Sequence, residues 1–213
     1  SWHLTRAQWR ATIAFGILQN AVYLGLFFVA MQTIEASLAT IIASTMPLMV
    51  ALAGWAFMGE RLSPLGMVGL VIGISGVVLI MGARLTHDLD LIGVAICFVG
   101  VIALTIATLK VRGATTGGNL LMVVGLQMLV GCVALTLATI AFETPRLTPS
   151  WPLAIAFTYT LFVPGLLATW VWFLLVGRIG ATRAATFHFL NPFFGVAIAA
   201  LLLGEQLGPR DIL

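Results

Sequence analysis

The sequence predicts an all-α polytopic membrane protein, an inverted-repeat bundle of two five-helix units of which seven spans lie in this chain. Three observations carry that expectation. Hydrophobic residues make up 61% of the 213 and charged residues only 8%, with a mean hydropathy of +1.14. The ten basic and seven acidic residues fall between long uncharged stretches. A pattern of prolines, glycines and acids also returns after 145 positions.

A soluble domain carries about 25% charged residues, because its surface must face water. This chain has too few polar residues to cover a globule, so the solvent is lipid. In lipid only helices or a closed barrel satisfy every backbone group. The apolar stretches are continuous and do not alternate, which selects helices. Uncharged runs cover 11–34, 36–59, 62–83, 91–109, 113–142, 147–177 and 184–204. Each approaches or exceeds the roughly 20 residues that a spanning helix needs. The fifth and sixth runs open with polar or proline-rich segments, so their membrane portions are expected from Leu120 and Trp151.

Net charge is +3, but the basic residues are scattered over short loops and build no nucleic-acid face. They set orientation instead. Arg6, Arg10, Arg61, Lys110, Arg112, Arg178 and Arg183 lie on the N-terminal side, against Arg84, Arg146 and Arg210 opposite. The positive-inside rule then makes the N-terminal side cytoplasmic. Cys97 and Cys132 fall within spans and read as small apolar residues. No disulfide, metal centre or cofactor is expected. The chain opens on Ser1-Trp2-His3, so the protein's own N-terminus is expected upstream.

The repeat is the most informative feature. Ile34, Ala36, Ala39, Pro47, Gly59, Glu60, Leu62 and Pro64 recur as Ile179, Ala181, Ala184, Pro192, Gly204, Glu205, Leu207 and Pro209. Pro47 lies in the second run and Pro192 in the seventh. A shift of five helices inverts the second unit relative to the first, as in many secondary transporters. The register divides the chain at 1–83 and 89–213, with two helices expected before residue 1 and one after the last.

Small residues, a mid-helix proline and a closing Gly-Glu-x-Leu-x-Pro, present twice in register, resemble the EamA family of the drug/metabolite transporter superfamily. The resemblance implies a ten-helix inner-membrane carrier with both termini cytoplasmic. It further implies export of metabolites such as amino acids, aromatic ones among them.

Polar residues inside spans are costly on a lipid-facing surface and usually face the bundle interior. Gln19, Asn20 and Tyr23 fall within one helical turn, where two amides and a phenol suit a zwitterion; bonding to neighbouring helices is the plainer role. Ser37, Thr40, Ser44 and Pro47 share a face, as substrate contacts or as close-packing hydroxyls. Pro47 and Pro192 are candidate hinges, since proline frees a carbonyl one turn earlier. His188 and Asn191 precede Pro192, and the histidine is a hydrogen-bonding, substrate-contacting or proton-coupling candidate. Tyr159, Trp170 and Trp172 flank Pro164-Gly165 on the sixth span, as aromatic cavity wall or interfacial anchors. The glycine stripe Gly66, Gly69, Gly73 and Gly76 permits close helix approach and a homodimer contact. Gly73-Ile74-Ser75-Gly76 also matches an intramembrane serine protease, with Ser75 as nucleophile and His188 as base. The glycine stripe explains that helix without it. A channel would need a filter-like loop or a ring of charges, and neither is visible. The expected partners are a small-molecule substrate and the bilayer.

Overall fold

A computed structural model of the chain describes residues 4–59, 64–84, 90–110, 120–144 and 148–190, together with Phe194, Ile198 and Leu201. The described residues form helices and no strand. We number them α1 (Arg6–Ala30), α2 (Ala36–Met58), α3 (Pro64–Arg84), α4 (Leu91–Lys110), α5 (Leu120–Phe142), α6 (Trp151–Ile179) and α7 (Ala181–Ala185), the last running into a tight 3₁₀ turn, Thr186–Leu190.

Among the described residues five helices, α1, α2, α4, α5 and α6, are long and apolar enough to cross a membrane. The seventh expected span lies mostly outside the described residues, beyond Leu190. Phe57, Phe142 and Trp151 are more than four-fifths exposed, and α6 buries nothing between Trp151 and Leu167. Apolar surface of that extent on a chain of this composition belongs in lipid. The protein is a polytopic membrane protein.

Local chemistry sets the helix ends. Thr5 caps α1 with a capping box: its hydroxyl accepts from the Gln8 amide at 3.2 Å, and the Gln8 side chain accepts from the Thr5 amide at 2.8 Å. Ser150 caps α6 by accepting from the Leu153 amide, with Pro152 in the first turn. Gly59 closes α2 at φ 67°, a left-handed conformation that costs glycine nothing. Gly180, at φ 83°, turns the chain from α6 into α7.

Three helices depart from a plain α-helix. In α1, Gly16–Tyr23 form a wider π turn, and the Leu24 amide reaches back five residues to the Gln19 carbonyl. In α6, Leu161–Leu167 do the same, with the Ala168 amide reaching the Val163 carbonyl. In α2, the helix stops at Ala43 and restarts at Met46, with Ser44 and Thr45 as a turn and Pro47 in the first turn of the second piece. Boundaries recur at one spacing: Arg6 and Trp151, Gly16 and Leu161, Ala36 and Ala181 are each 145 positions apart.

Two buried clusters hold the bundle. One joins Phe27 and Ala30 of α1 to Leu38, Ile42, Met46 and Val50 of α2 and to Cys97, Val101 and Leu104 of α4. The other joins Phe15 of α1, Val123 and Val124 of α5, Phe173 and Val176 of α6, and Ala181 and Ala184 of α7. Phe15 and Phe173 meet edge to face, centroids 5.0 Å apart. Trp172 packs against both clusters. Cys97 is fully buried in the first, whereas Cys132 is exposed on α5.

Candidate functional site

A cavity of about 350 Å³ opens between the later half of α1 and the first piece of α2. Tyr23, Leu24, Phe27, Phe28 and Met31 line it from α1, and Ala39, Thr40 and Ala43 from α2, with Phe194 opposite. Its size suits a small metabolite. Tyr23 and Phe27 stand 4.5 Å apart by ring centroid, tilted 53°. The wall is therefore aromatic, with a phenol and one hydroxyl as its polar groups. The Thr40 hydroxyl donates to the Ser37 carbonyl at 2.7 Å and keeps its lone pairs for a donor.

The trio read from α1 divides. Tyr23 lines the cavity, whereas Asn20 turns to α5 and donates its amide to the Gln127 side-chain oxygen at 2.5 Å and to the Gln127 carbonyl at 3.2 Å. Gln19, which precedes Asn20, is half-buried and is not among the cavity-lining residues. Bonding across five residues widens the turn, so residues three and four apart no longer stack as on an α-helix.

Gln127 is the functional-looking residue that the sequence reading passed over. It is fully buried, and its Nε2 has no hydrogen-bond partner among the described residues. The available signal was one amide deep within the apolar stretch Leu120–Phe142. Around it the π turn Gly16–Tyr23 packs more extensively on α5 than on α4. Glycine allows the approach: a Cβ on Gly16 would stand 3.0 Å from the Val130 Cβ, and one on Gly131 3.0 Å from the Gly16 carbonyl oxygen.

Ser44 is buried and donates to the Ile41 carbonyl at 2.6 Å; Thr45 donates to the Ile42 carbonyl at 2.7 Å. These bonds satisfy carbonyls at the α2 break, and Pro47 sits buried just beyond. His188 sets its ring edge to face against Trp172, centroids 4.9 Å apart, beside the first cluster. Tyr159 and Trp170 are exposed on α6, away from the α1–α2 cavity lining. Asn191 and Pro192 lie outside the described residues. Ser75 is exposed on α3, and Gly73 of the same helix sits against Leu48 of α2.

A larger groove, about 560 Å³, runs between the second piece of α2 and the end of α4. It is apolar apart from Lys110 and Thr105, whose hydroxyl donates to the Val101 carbonyl. At the other end of α4, Asp90 caps the helix: its carboxylate accepts from Thr33 at 2.5 Å and from the Ile92 amide at 3.0 Å. These bonds, the Thr33 hydroxyl first, hold the carboxyl below the ordinary aspartate range.

The chain matches the EamA-like transporter family over residues 1–82 and 91–213. It is 23% identical over 202 residues to a Bacillus subtilis (strain 168) protein named "Uncharacterized transporter YvbV". That alignment covers 93% of this chain and 66% of the relative, so the chain spans under two thirds of that protein. No solved structure matches it. With matches over both halves of an apolar helical bundle, this chain belongs to the EamA-like transporter family.

Proposed function

We propose that this chain is the larger part of a secondary carrier that exports neutral or aromatic amino acids by alternating access. The observation that carries the reading is the aromatic α1–α2 cavity, where Tyr23 and Thr40 supply the polar contacts. Family membership supports transport as the activity. The recurrent 145-residue spacing of helix starts supports two inverted five-helix units, divided at 1–83 and 89–213, with further helices outside this chain. The broken α2 beside Pro47 supports a flexible point there, and Pro192 is its counterpart in the repeat. Gln19, Asn20, Ser44, Tyr159, Trp170, His188 and Asn191 are proposed as residues that face the substrate path in some state of the cycle. The N-terminal side faces the cytoplasm of an inner membrane, and the α3 glycine stripe is a homodimer contact.

Flux in proteoliposomes tests this. Saturable uptake of labelled L-phenylalanine or L-leucine, inhibited by the other amino acid, is expected. Tyr23→Phe removes the phenol but keeps the ring. Loss of one hydrogen bond to substrate raises KM by up to about tenfold. Unsaturated ion current or peptide cleavage in place of selective flux overturns the reading.

A further inference from the structure

We infer that the two π turns, Gly16–Tyr23 in α1 and Leu161–Leu167 in α6, are paired hinges of the transport movement, and that Gln127 is the positioning residue that locks the first. This rests on the carrier reading above. The two turns start 145 residues apart, the spacing that also relates the starts of their helices. Their sequences, GILQNAVY and LFVPGLL, share no residue at that spacing. The same backbone departure therefore arises at equivalent places from different local causes.

In α6 the cause is Pro164. Proline has no amide hydrogen, so the Thr160 carbonyl loses its α-helical donor. A Cβ on Gly165 would lie 2.9 Å from that carbonyl oxygen, so glycine lets the chain close over it. No residue of this turn is buried among the described residues. In α1 there is no proline, and the wide turn is held from outside. Gly16 and Gly131 bring α1 and α5 together, and Asn20 donates twice to Gln127 across the crossing. Two unrelated sequence solutions at one register mean that the wide turn is required at that place, and π turns gather at functional places in helices.

The clasp is also half used. Gln127 is 0% exposed, and its Oε1 accepts from Asn20 while its Nε2 donates to nothing among the described residues. A buried donor without an acceptor is costly, so this arrangement is not the best one available to an amide. A change of winding in α1 that brings a carbonyl to Nε2 is favoured by the bond gained. Such a change would give the turn a second state with different contacts, as a switch needs. Pro47 differs in kind, since it starts a buried helix piece.

Hydrogen exchange of the intact protein in lipid vesicles, read peptide by peptide alongside flux of labelled L-phenylalanine and L-leucine, tests the pairing. Amides of 16–23 and 161–167 are expected to exchange faster than those of the flanking helix. Gln127→Met keeps the volume and breaks the clasp, so exchange in 16–23 rises roughly three- to tenfold while 161–167 is unchanged. Asn20→Leu breaks the clasp from the other side with the same result. The swap Asn20→Gln with Gln127→Asn restores slow exchange. Pro164→Ala slows exchange in 161–167 alone and lowers maximal flux more than it raises KM. Unchanged exchange in 16–23 on losing the clasp removes Gln127 from this role. Normal maximal flux in Pro164→Ala, with 161–167 slowed, overturns the hinge while the carrier reading stands. A wild-type protein without flux of either amino acid overturns the carrier reading itself, and the hinge with it.

Discussion

Asp90 ties two parts of the chain together: it caps α4, and it accepts from Thr33 in the turn that joins α1 to α2. Both bonds favour the ionised carboxylate, so its pKa in the folded protein lies below that of the unfolded chain. A depressed acid contributes stability that is complete above the unfolded pKa and disappears as pH falls through the folded one. Asp90→Asn is therefore expected to melt below the wild type near neutral pH. The difference should close on acidification below the carboxylate range, about pH 4. Thermal unfolding in detergent across that range checks it, and a pH-independent difference would assign the effect to the cap geometry alone. Other residues were legible to different degrees. Tyr23 was marked from sequence as a polar group in an apolar run, and it lines the α1–α2 cavity. Asn20 was marked by the same rule but points to α5. Gln127, which completes that contact, was missed, because a single amide within Leu120–Phe142 says nothing about its neighbours.

At the scale of elements, hydropathy located the helices well, since a lipid solvent forces long uninterrupted runs. The expected starts at Leu120 and Trp151 are the starts found for α5 and α6. Of the two π turns, Pro164-Gly165 marked a bend at the place of the second, while the first was not legible. Gly16–Tyr23 carries no proline, and its winding depends on α5, more than a hundred residues away. The break in α2 was half legible. Pro47 marked the place, yet the interruption falls at Ser44 and Thr45, where hydroxyls take over the duty of the missing amides. The α1–α5 crossing gives a sharp prediction. Gly131→Ala places a methyl 3.0 Å from the Gly16 carbonyl and 3.2 Å from the Asn20 amide nitrogen. Overpacking of this kind costs roughly 1–3 kcal/mol. Gly125→Ala, with nothing within 4 Å of the added carbon, is the control and should be neutral. Equal melting temperatures for the two variants would refute the close crossing.

For the whole molecule, charge and repeat speak to separate questions. The 145-residue spacing relates helix starts at Arg6, Gly16 and Ala36 to Trp151, Leu161 and Ala181, and so relates one half to the other. It cannot orient the pair, because the inverted repeat proposed above would look alike from both sides of the bilayer. Charge would break that symmetry: counted over the seven spans expected from sequence, seven basic residues fall on the N-terminal side against three opposite. Basic residues near span ends resist translocation, and on that ground the richer side is proposed to be the cytoplasmic one. The prediction follows from which segments share a side. With Cys97 and Cys132 replaced by Ala, Gln32→Cys in the exposed α1–α2 turn should react with a membrane-impermeant maleimide on intact cells. Thr5→Cys at the start of α1 should react only after permeabilisation. The reverse pattern would place the N-terminal side outside. Charge would then have failed as the guide to orientation, and the two halves would exchange roles in the direction of transport while the fold stayed as described.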